Sequence, residues 1–254
     1  MSVIDGYADE TSDNYKKIHS SMNLKNHRYE EGMKYYSYLV SPVTCEKMKQ
    51  EDNNKANFVE QKFYEYYKKV WKREDLTDKT ILIYQGPHGL GDYLMFTRYI
   101  PILEKIAGKV VVEVPSNFYD LFKYNFKNSI VVQETDIPYQ SFDYSASCMD
   151  IFYGINMGLD NIPFIINKFK NILPFEKNKR KIGFFWQGSN DTLMHRMANI
   201  ENFIPLFSLE NSQFYSLDLS EQKETTLEIF DKYNIVNCKK CIKTALDTAA
   251  IMKN

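Results

Sequence analysis

Covalent and metal frameworks have little to work with in this chain, which has four cysteines and four histidines in 254 residues. Cys45, Cys148, Cys238 and Cys241 are too few and too unevenly spread for a disulfide scaffold, a usage that suits a reducing, cytoplasmic compartment. Residues 238–241, CKKC, have the spacing of a metal knuckle or a redox pair, but one pair without a second specifies no metal site. Long apolar runs are lacking as well. No window approaches the roughly 18 consecutive apolar residues of a membrane helix, so no transmembrane segment is expected. The acidic start MSVIDGYADE has neither the basic nor the apolar region of a secretion signal. Charge of one sign is not in excess either, and a net charge of −1 gives no general attraction to nucleic acid or to an anionic membrane. What is left is a chain that is 44% hydrophobic, long enough to bury one sizeable core with a helical appendage.

The chain's most telling stretch is residues 81–103, ILIYQGPHGLGDYLMFTRYIPIL. Residues 81–84 form a short apolar run of β-favouring type. Gly86, Gly89 and Gly91 follow within six residues, and glycine allows the positive φ and close backbone approach that a sharp strand-to-helix turn requires. From Asp92 the apolar residues Leu94, Met95, Tyr99, Ile102, Leu103 and Ile106 recur at helical spacing, and Gly108 stands where the helix would stop. Such a corner binds phosphates and sugars in α/β proteins, and it is equally a plain structural turn. Gly86 and Gly91 have the separation of the glycines in a GxxxxGK[ST] loop, yet Asp92 and Tyr93 stand where lysine and a hydroxyl residue would be. A carboxylate there repels a triphosphate, which argues against a nucleoside triphosphatase. The order GxxGxG also departs from the GxGxxG dinucleotide fingerprint. Asp92 has two readings, a carboxylate that caps the positive end of its helix and a base that faces a ligand.

Four stretches taken in order, GLGDYLMFTRYIPIL (89–103), KVVVEVPSNFYDLF (109–122), FDYSASCMDI (142–151) and KIGFFWQGSN (181–190), resemble the heptosyltransferase-like glycosyltransferases of family nine. More narrowly, the chain is similar to the bacterial branch in which that domain follows tetratricopeptide repeats. Residues 69–92 resemble the junction between the two parts, and residues 27–39, HRYEEGMKYYSYL, resemble the second helix of a last repeat. The resemblance implies a GT-B architecture: two Rossmann-like lobes facing across a cleft, acceptor on the first, nucleotide-sugar on the second, no metal. It maps the proposed general base onto Asp92 and places Gly89 and Gly91 beside the acceptor. Where the family usually has Glu-Gln before GLGD, this chain has Pro87-His88. That exchange stiffens the backbone and brings an imidazole that titrates near neutrality, so His88 is expected to contact acceptor or phosphate.

The second lobe is expected to carry its own turn. A strand over residues 182–186 ends in Trp186, and Gly188, Ser189 and Asn190 supply N–H and hydroxyl groups suited to a phosphate. The family's loop reads WxGNxxHxxDRxRS; Arg196 falls on its first arginine and Ala198 on its second. One arginine still offers a diphosphate two charge-assisted hydrogen bonds, although an exposed surface arginine is the plainer reading.

The expected class is therefore α/β, with three parts. Residues 1–78 are a helical, tetratricopeptide-like extension, with helices at 14–22 and 29–39, a solvated loop at 47–55 and an aromatic helix at 60–71. Residues 79–178 are the Rossmann-like acceptor lobe, with parallel strands at 81–84, 110–114 and 130–133. Residues 179–254 are a partial nucleotide-sugar lobe, with strands at 182–186, 213–217 and 235–237 and helices at 202–207, 221–233 and 244–252. A half-lobe exposes a strand edge and an apolar helix face near residues 245–252, where a second copy or a partner chain would bind. The implied activity is metal-independent, inverting transfer of a sugar from a nucleotide-diphosphate-sugar co-substrate to a saccharide or protein acceptor, with no further cofactor. The alternative is a non-catalytic saccharide- or protein-binding module derived from such an enzyme.

Overall fold

The structure is a computed structural model; it describes residues 13–28, 31–32, 62, 65–66, 68–86, 89–135, 139–155, 178–187 and 198–253. The expected helix 29–39, apart from residues 31–32, and the loop 47–55 lie outside the described residues. Two compact units divide the chain, Met1–Ile165 and Ile166–Asn254. Both are α/β with parallel sheets, of the Rossmann-like kind. No described helix is long and apolar enough to cross a membrane.

Among the described residues of unit 1 the first element is α1 (Asp13–Lys25), around the expected 14–22. Its sheet has β1 (Thr80–Tyr84), β2 (Lys109–Val114), β3 (Ile130–Gln133) and β4 (Tyr144–Ser147) in the order β3-β2-β1-β4, all parallel. The three expected strands form; β4 was not foreseen. Its sequence, Tyr-Ser-Ala-Ser, is a poor strand by composition, and context makes it one. On its inner side it pairs with β1. On its outer side Trp71 donates to the Ser145 carbonyl at 2.7 Å and Ser145 to the Lys69 carbonyl at 2.8 Å, bridging Val70 to the sheet.

Between β1 and β2 run α2 (Leu90–Phe96), a 3-10 turn (Thr97–Tyr99) and α3 (Ile100–Ile106). A single helix with one apolar face was expected here, and that face is only partly right: Tyr99 and Leu103 are buried and Ile102 packs against the core, but the rest differs. Pro101 has no N–H to give the Thr97 carbonyl, so Ile100 N–H takes it, while the Thr97 hydroxyl bonds back to the Leu94 carbonyl at 2.7 Å. The tightened turn shifts the phase. Tyr93, Phe96, Tyr99, Ile100 and Leu103 are buried, whereas Leu94, Met95 and Ile106 are exposed. Gly108 does follow the helix, and its backbone passes so close to Asp78 that a Cβ would lie 2.6 Å from that residue's Cα.

With α4 (Tyr119–Asn125) and α5 (Cys148–Ile155), these helices cover one face of the sheet, where Ile81, Ile83, Val110, Val112 and Val114 point. Trp71 joins that core, and Gly154 on α5 lies against it so closely that a Cβ would overlap the indole. The opposite face, Leu82, Tyr84 and Val111, packs on Tyr66 and Phe142. Of the expected helix 60–71, the described residues Lys62, Glu65 and Tyr66 are helical, whereas residues 68–71 have left it to bridge β4, with Tyr66 against one face of the sheet and Trp71 against the other.

Glu113 also points to the Tyr66 side, and it is buried. Its carboxylate receives Lys62 Nζ at 2.7 Å and the Tyr66 hydroxyl at 2.6 Å. Lys62 donates further to the Thr135 carbonyl at 2.9 Å, and Tyr139 N–H donates to the Tyr66 oxygen at 2.8 Å. Burial pushes the Glu113 carboxyl above its ordinary value, with Lys62 and Tyr66 pulling it back. Burial, and next the bond to Glu113, hold the Tyr66 phenol well above its own.

Unit 2 contains β5 (Arg180–Phe184), a 3-10 turn (Ile200–Phe203), α6 (Ile204–Phe207), β6 (Ser212–Ser216), α7 (Glu224–Lys232), β7 (Val236–Asn237), a 3-10 turn (Cys238–Cys241) and α8 (Ala245–Lys253). The strands are parallel in the order β5-β6-β7. β5 starts and ends two residues before the expected span, because Arg180 N–H pairs with the Asn211 carbonyl at 2.7 Å and the Phe184 carbonyl takes Leu217 N–H at 3.0 Å. One face packs an aromatic cluster of Trp186, Phe207, Phe214 and Phe230; the other packs Tyr215, Cys238, Ile242 and Ile251. Near the chain end Ala250 and Ile251 are buried and Met252 is 70% exposed. Asp247 caps α8 by accepting Lys243 and Thr244 N–H, each at 2.9 Å. Burial, then the neighbouring Cys241, pushes the Cys238 thiol up to about 11, the opposite of a redox-active cysteine.

Lys62→Met should cost about 3–5 kcal/mol of stability, because it strands a buried carboxylate; Glu113→Gln added to the same chain should recover most of it. The sign with pH follows from a folded-state value that lies above the unfolded one, near 4.5. Such a group stabilises fully below 4.5 and loses that contribution as pH rises through the folded value. Without Lys62 the loss should be steeper. Urea melts of the three proteins from pH 4 to 8 would check both points.

Candidate functional site

The strand order reverses at β1, with β2 and β3 to one side and β4 to the other. In an open parallel sheet a crevice opens outside the carboxyl ends of the strands at such a point, since the crossovers leave in opposite directions. The glycine turn leaves β1 there. Gly86 has φ 71, a conformation that favours glycine. Gly89 instead has φ −67 and ψ 155 and is the residue from which α2 starts, its carbonyl accepting Tyr93 N–H at 3.1 Å.

Asp92 is the third residue of α2, within the first turn, and is half-buried. The helix therefore starts before Asp92, so the position of an N-cap falls to Gly89. A Cβ at Gly89 would come within 3.4 Å of Asp92 Oδ2, so glycine there leaves the carboxylate room to lie over the turn. Gly91 is exposed, and a Cβ on it would meet nothing within 4 Å.

From the other side of the reversal point, the Cys148 thiol donates to the Gln85 carbonyl at 3.3 Å, tying the start of α5 to the glycine turn. Ser147 and Asp150 cap α5 reciprocally: Ser147 N–H donates to Asp150 Oδ2 at 2.9 Å and Asp150 N–H to the Ser147 hydroxyl at 3.4 Å. Burial raises the Asp150 carboxyl above its ordinary value, against the two bonds from Ser147. This second carboxylate escaped the sequence reading, although Ser147-x-x-Asp150 is a legible capping pattern.

Glu113 stands near the end of β2, where dinucleotide-binding folds keep the acid that holds a ribose. Here both of its oxygens are engaged by Lys62 and Tyr66, so the carboxylate is spoken for by the fold.

In unit 2, Trp186 is buried, stacked on Phe184 with ring centres 5.3 Å apart and edge-on to Phe230 at 5.9 Å. Its indole belongs to the aromatic core. His88, Gly188, Ser189, Asn190 and Arg196 lie outside the described residues. Beyond β6 a polar network that the sequence reading missed joins Gln187, Asp218, Ser220 and Gln222. Its only sequence signal is an aspartate directly after a strand, in SLDLSEQ. Lys239 Nζ reaches the same loop, donating to the Ser220 carbonyl at 3.1 Å. Among the described residues no three histidine, cysteine or acidic side chains are grouped to hold a metal ion.

Gly91 in α2 and Gly108 after α3 make opposite predictions. Gly91→Ala should leave the fold intact or stabilise it by up to about 1 kcal/mol, as alanine favours helix and meets open space. Gly108→Ala should destabilise by about 1–3 kcal/mol, as its Cβ meets the Asp78 backbone. Denaturant melts of the two variants would show the contrast. Compared with protein families, curated proteins and solved structures, the chain has no match.

Proposed function

We propose that this chain is a metal-independent, inverting glycosyltransferase of GT-B type, moving a sugar from a nucleotide-diphosphate-sugar to a saccharide or protein acceptor in the cytoplasm. One observation carries the proposal: a half-buried carboxylate, Asp92, stands in the first turn of the helix that leaves the glycine turn, at the point where the sheet order reverses. The exposed Gly91 beside it leaves space for an acceptor. The resemblance of residues 89–103 and 181–190 to the family-nine enzymes supports the same reading.

In this scheme unit 1 takes the acceptor and unit 2 the donor. Asp92 removes the proton from the acceptor hydroxyl as its oxygen attacks the anomeric carbon. The new C–O bond forms on the face opposite the leaving group, the bond to the diphosphate breaks, and the nucleotide diphosphate leaves with the electron pair. His88 and Gly89 would position the acceptor, and Gly188, Ser189, Asn190 and Arg196 would meet the leaving diphosphate. Trp186 would support that turn from the core.

Asp92→Asn tests the role. General-base removal should lower turnover by roughly 100-fold or more while donor affinity stays the same, since only proton transfer is lost. Nucleotide release from a panel of nucleotide-sugars, read beside donor binding by calorimetry, separates the two quantities. A donor that binds the native protein with no turnover on any acceptor would favour the non-catalytic binding module.

A further inference from the structure

Two lines of hydrogen bonds meet at the buried Glu113 carboxylate and end at Thr135 and Tyr139, in the connection from β3 to β4. In the first, Lys62 Nζ bonds Glu113 Oε1 at 2.7 Å and donates onward to the Thr135 carbonyl at 2.9 Å. In the second, each proton has a fixed direction. Tyr139 N–H donates to the Tyr66 oxygen at 2.8 Å, and the Tyr66 hydroxyl donates to Glu113 Oε2 at 2.6 Å. A phenol oxygen carries one proton, so it accepts from Tyr139 only while that proton is aimed elsewhere, here at Glu113. Both carboxylate oxygens therefore act as acceptors, and a carboxyl does that only when ionised.

A proton added to Glu113 has two places to go. On Oε1 it would face the Lys62 ammonium, donor against donor and beside a positive charge, so Oε2 takes it. The acid then donates to the Tyr66 oxygen, whose own proton is turned toward the Tyr139 N–H, and that bond breaks. Lys62 keeps Oε1 and Thr135. The Tyr66 ring stays packed on Tyr84 and Phe142 and its carbonyl stays bonded to the Ser145 hydroxyl, so the change is confined to Tyr139. We propose that Glu113 is a proton-operated catch: ionised, it holds Tyr139 to Tyr66, and protonated, it lets Tyr139 go while Lys62 stays in place. The other groups that face it are Glu134 after β3, 3.4 Å from Lys62 Nζ, and Tyr93 from α2, whose hydroxyl donates to the Glu113 carbonyl at 2.7 Å. Burial raises the Glu113 carboxyl above its ordinary 4.5, against Lys62 and Tyr66 and with Glu134 adding to the rise, so the catch opens in mild acid. The lost bond is offset by relief of a buried charge. The inference rests on unit 1 alone and holds whether or not the protein transfers a sugar.

The test uses the full chain with isotope-labelled tyrosine, the Tyr139 amide signal being identified by its loss in Tyr139→Phe. From about pH 8 down to about pH 4, the range in which a raised carboxyl titrates, that signal should shift with a single midpoint above 4.5. Its exchange protection, corrected for the intrinsic rate at each pH, should fall about tenfold on the acid side. Glu113→Gln, whose amide has the shape of the neutral acid, should hold the signal at its acid position at every pH. Glu134→Gln should keep the titration and move its midpoint down, since a negative neighbour that raises the Glu113 value is gone. A Tyr139 signal that stays still in the native chain overturns the proposal, as does one that titrates equally in Glu113→Gln or ceases to titrate in Glu134→Gln. If Glu113→Gln does not fold, the native chain and Glu134→Gln decide alone.

Discussion

A parallel sheet has no face to spare for water, because its crossovers lay elements over both sides. In unit 1 the helices after β1, β2 and β4 cover one side, and Tyr66, which precedes the sheet in sequence, covers part of the other together with Phe142. Much of the unit follows from that arrangement. Glu113 sits on a face that Tyr66 has made dry, so it requires Lys62 and the Tyr66 hydroxyl. Trp71 fills the space over α5 that Gly154 leaves open. With both faces covered, the carboxyl edge is where loops are free to carry polar groups, and the glycine turn and Asp92 stand there.

Unit 2 repeats the parallel pattern with different consequences. β1 is buried along nearly its whole length between β2 and β4, whereas β5, paired on one side among the described residues, alternates between exposed and half-exposed. Its core is aromatic where that of unit 1 is mostly aliphatic on the strands. Stacked rings fix the end of β5 and hold Trp186 inward, so the described polar side chains at that edge are those that follow β5 and β6.

Sequence patterning located the strands whose own residues demand burial. β2 and β3 are runs of valine and isoleucine bounded by turn residues, and they form where the pattern places them. β4 was invisible because nothing in Tyr-Ser-Ala-Ser asks to be a strand; its neighbours impose it. The helical face after the glycine turn was assigned only in part, Tyr99 and Leu103 correctly, because the missing N–H of Pro101 and the 3-10 turn beside it change the phase. At the candidate site, the glycine corner was legible from three closely spaced glycines after an apolar run. Asp150 was legible in the Ser147-x-x-Asp150 capping pattern but was not singled out, and the bonds of Asp218 and Gln222 to Ser220, two residues away, form in a polar loop that no apolar pattern marks.

The stitching of Tyr66 and residues 69–71 onto the sheet has a consequence in time. Tyr66 finds its carboxylate partner 47 residues downstream, a backbone N–H 73 residues downstream, and a strand hydroxyl 79 residues downstream. During synthesis this segment leaves the ribosome before any of these partners. Until β4 has been made, an aromatic, lysine-bearing stretch stays unsatisfied, and the loop that must close around it raises the entropic barrier to the final step. The last strand of the sheet is therefore also the latch of the Tyr66 segment, and that latch closes only once β4 exists.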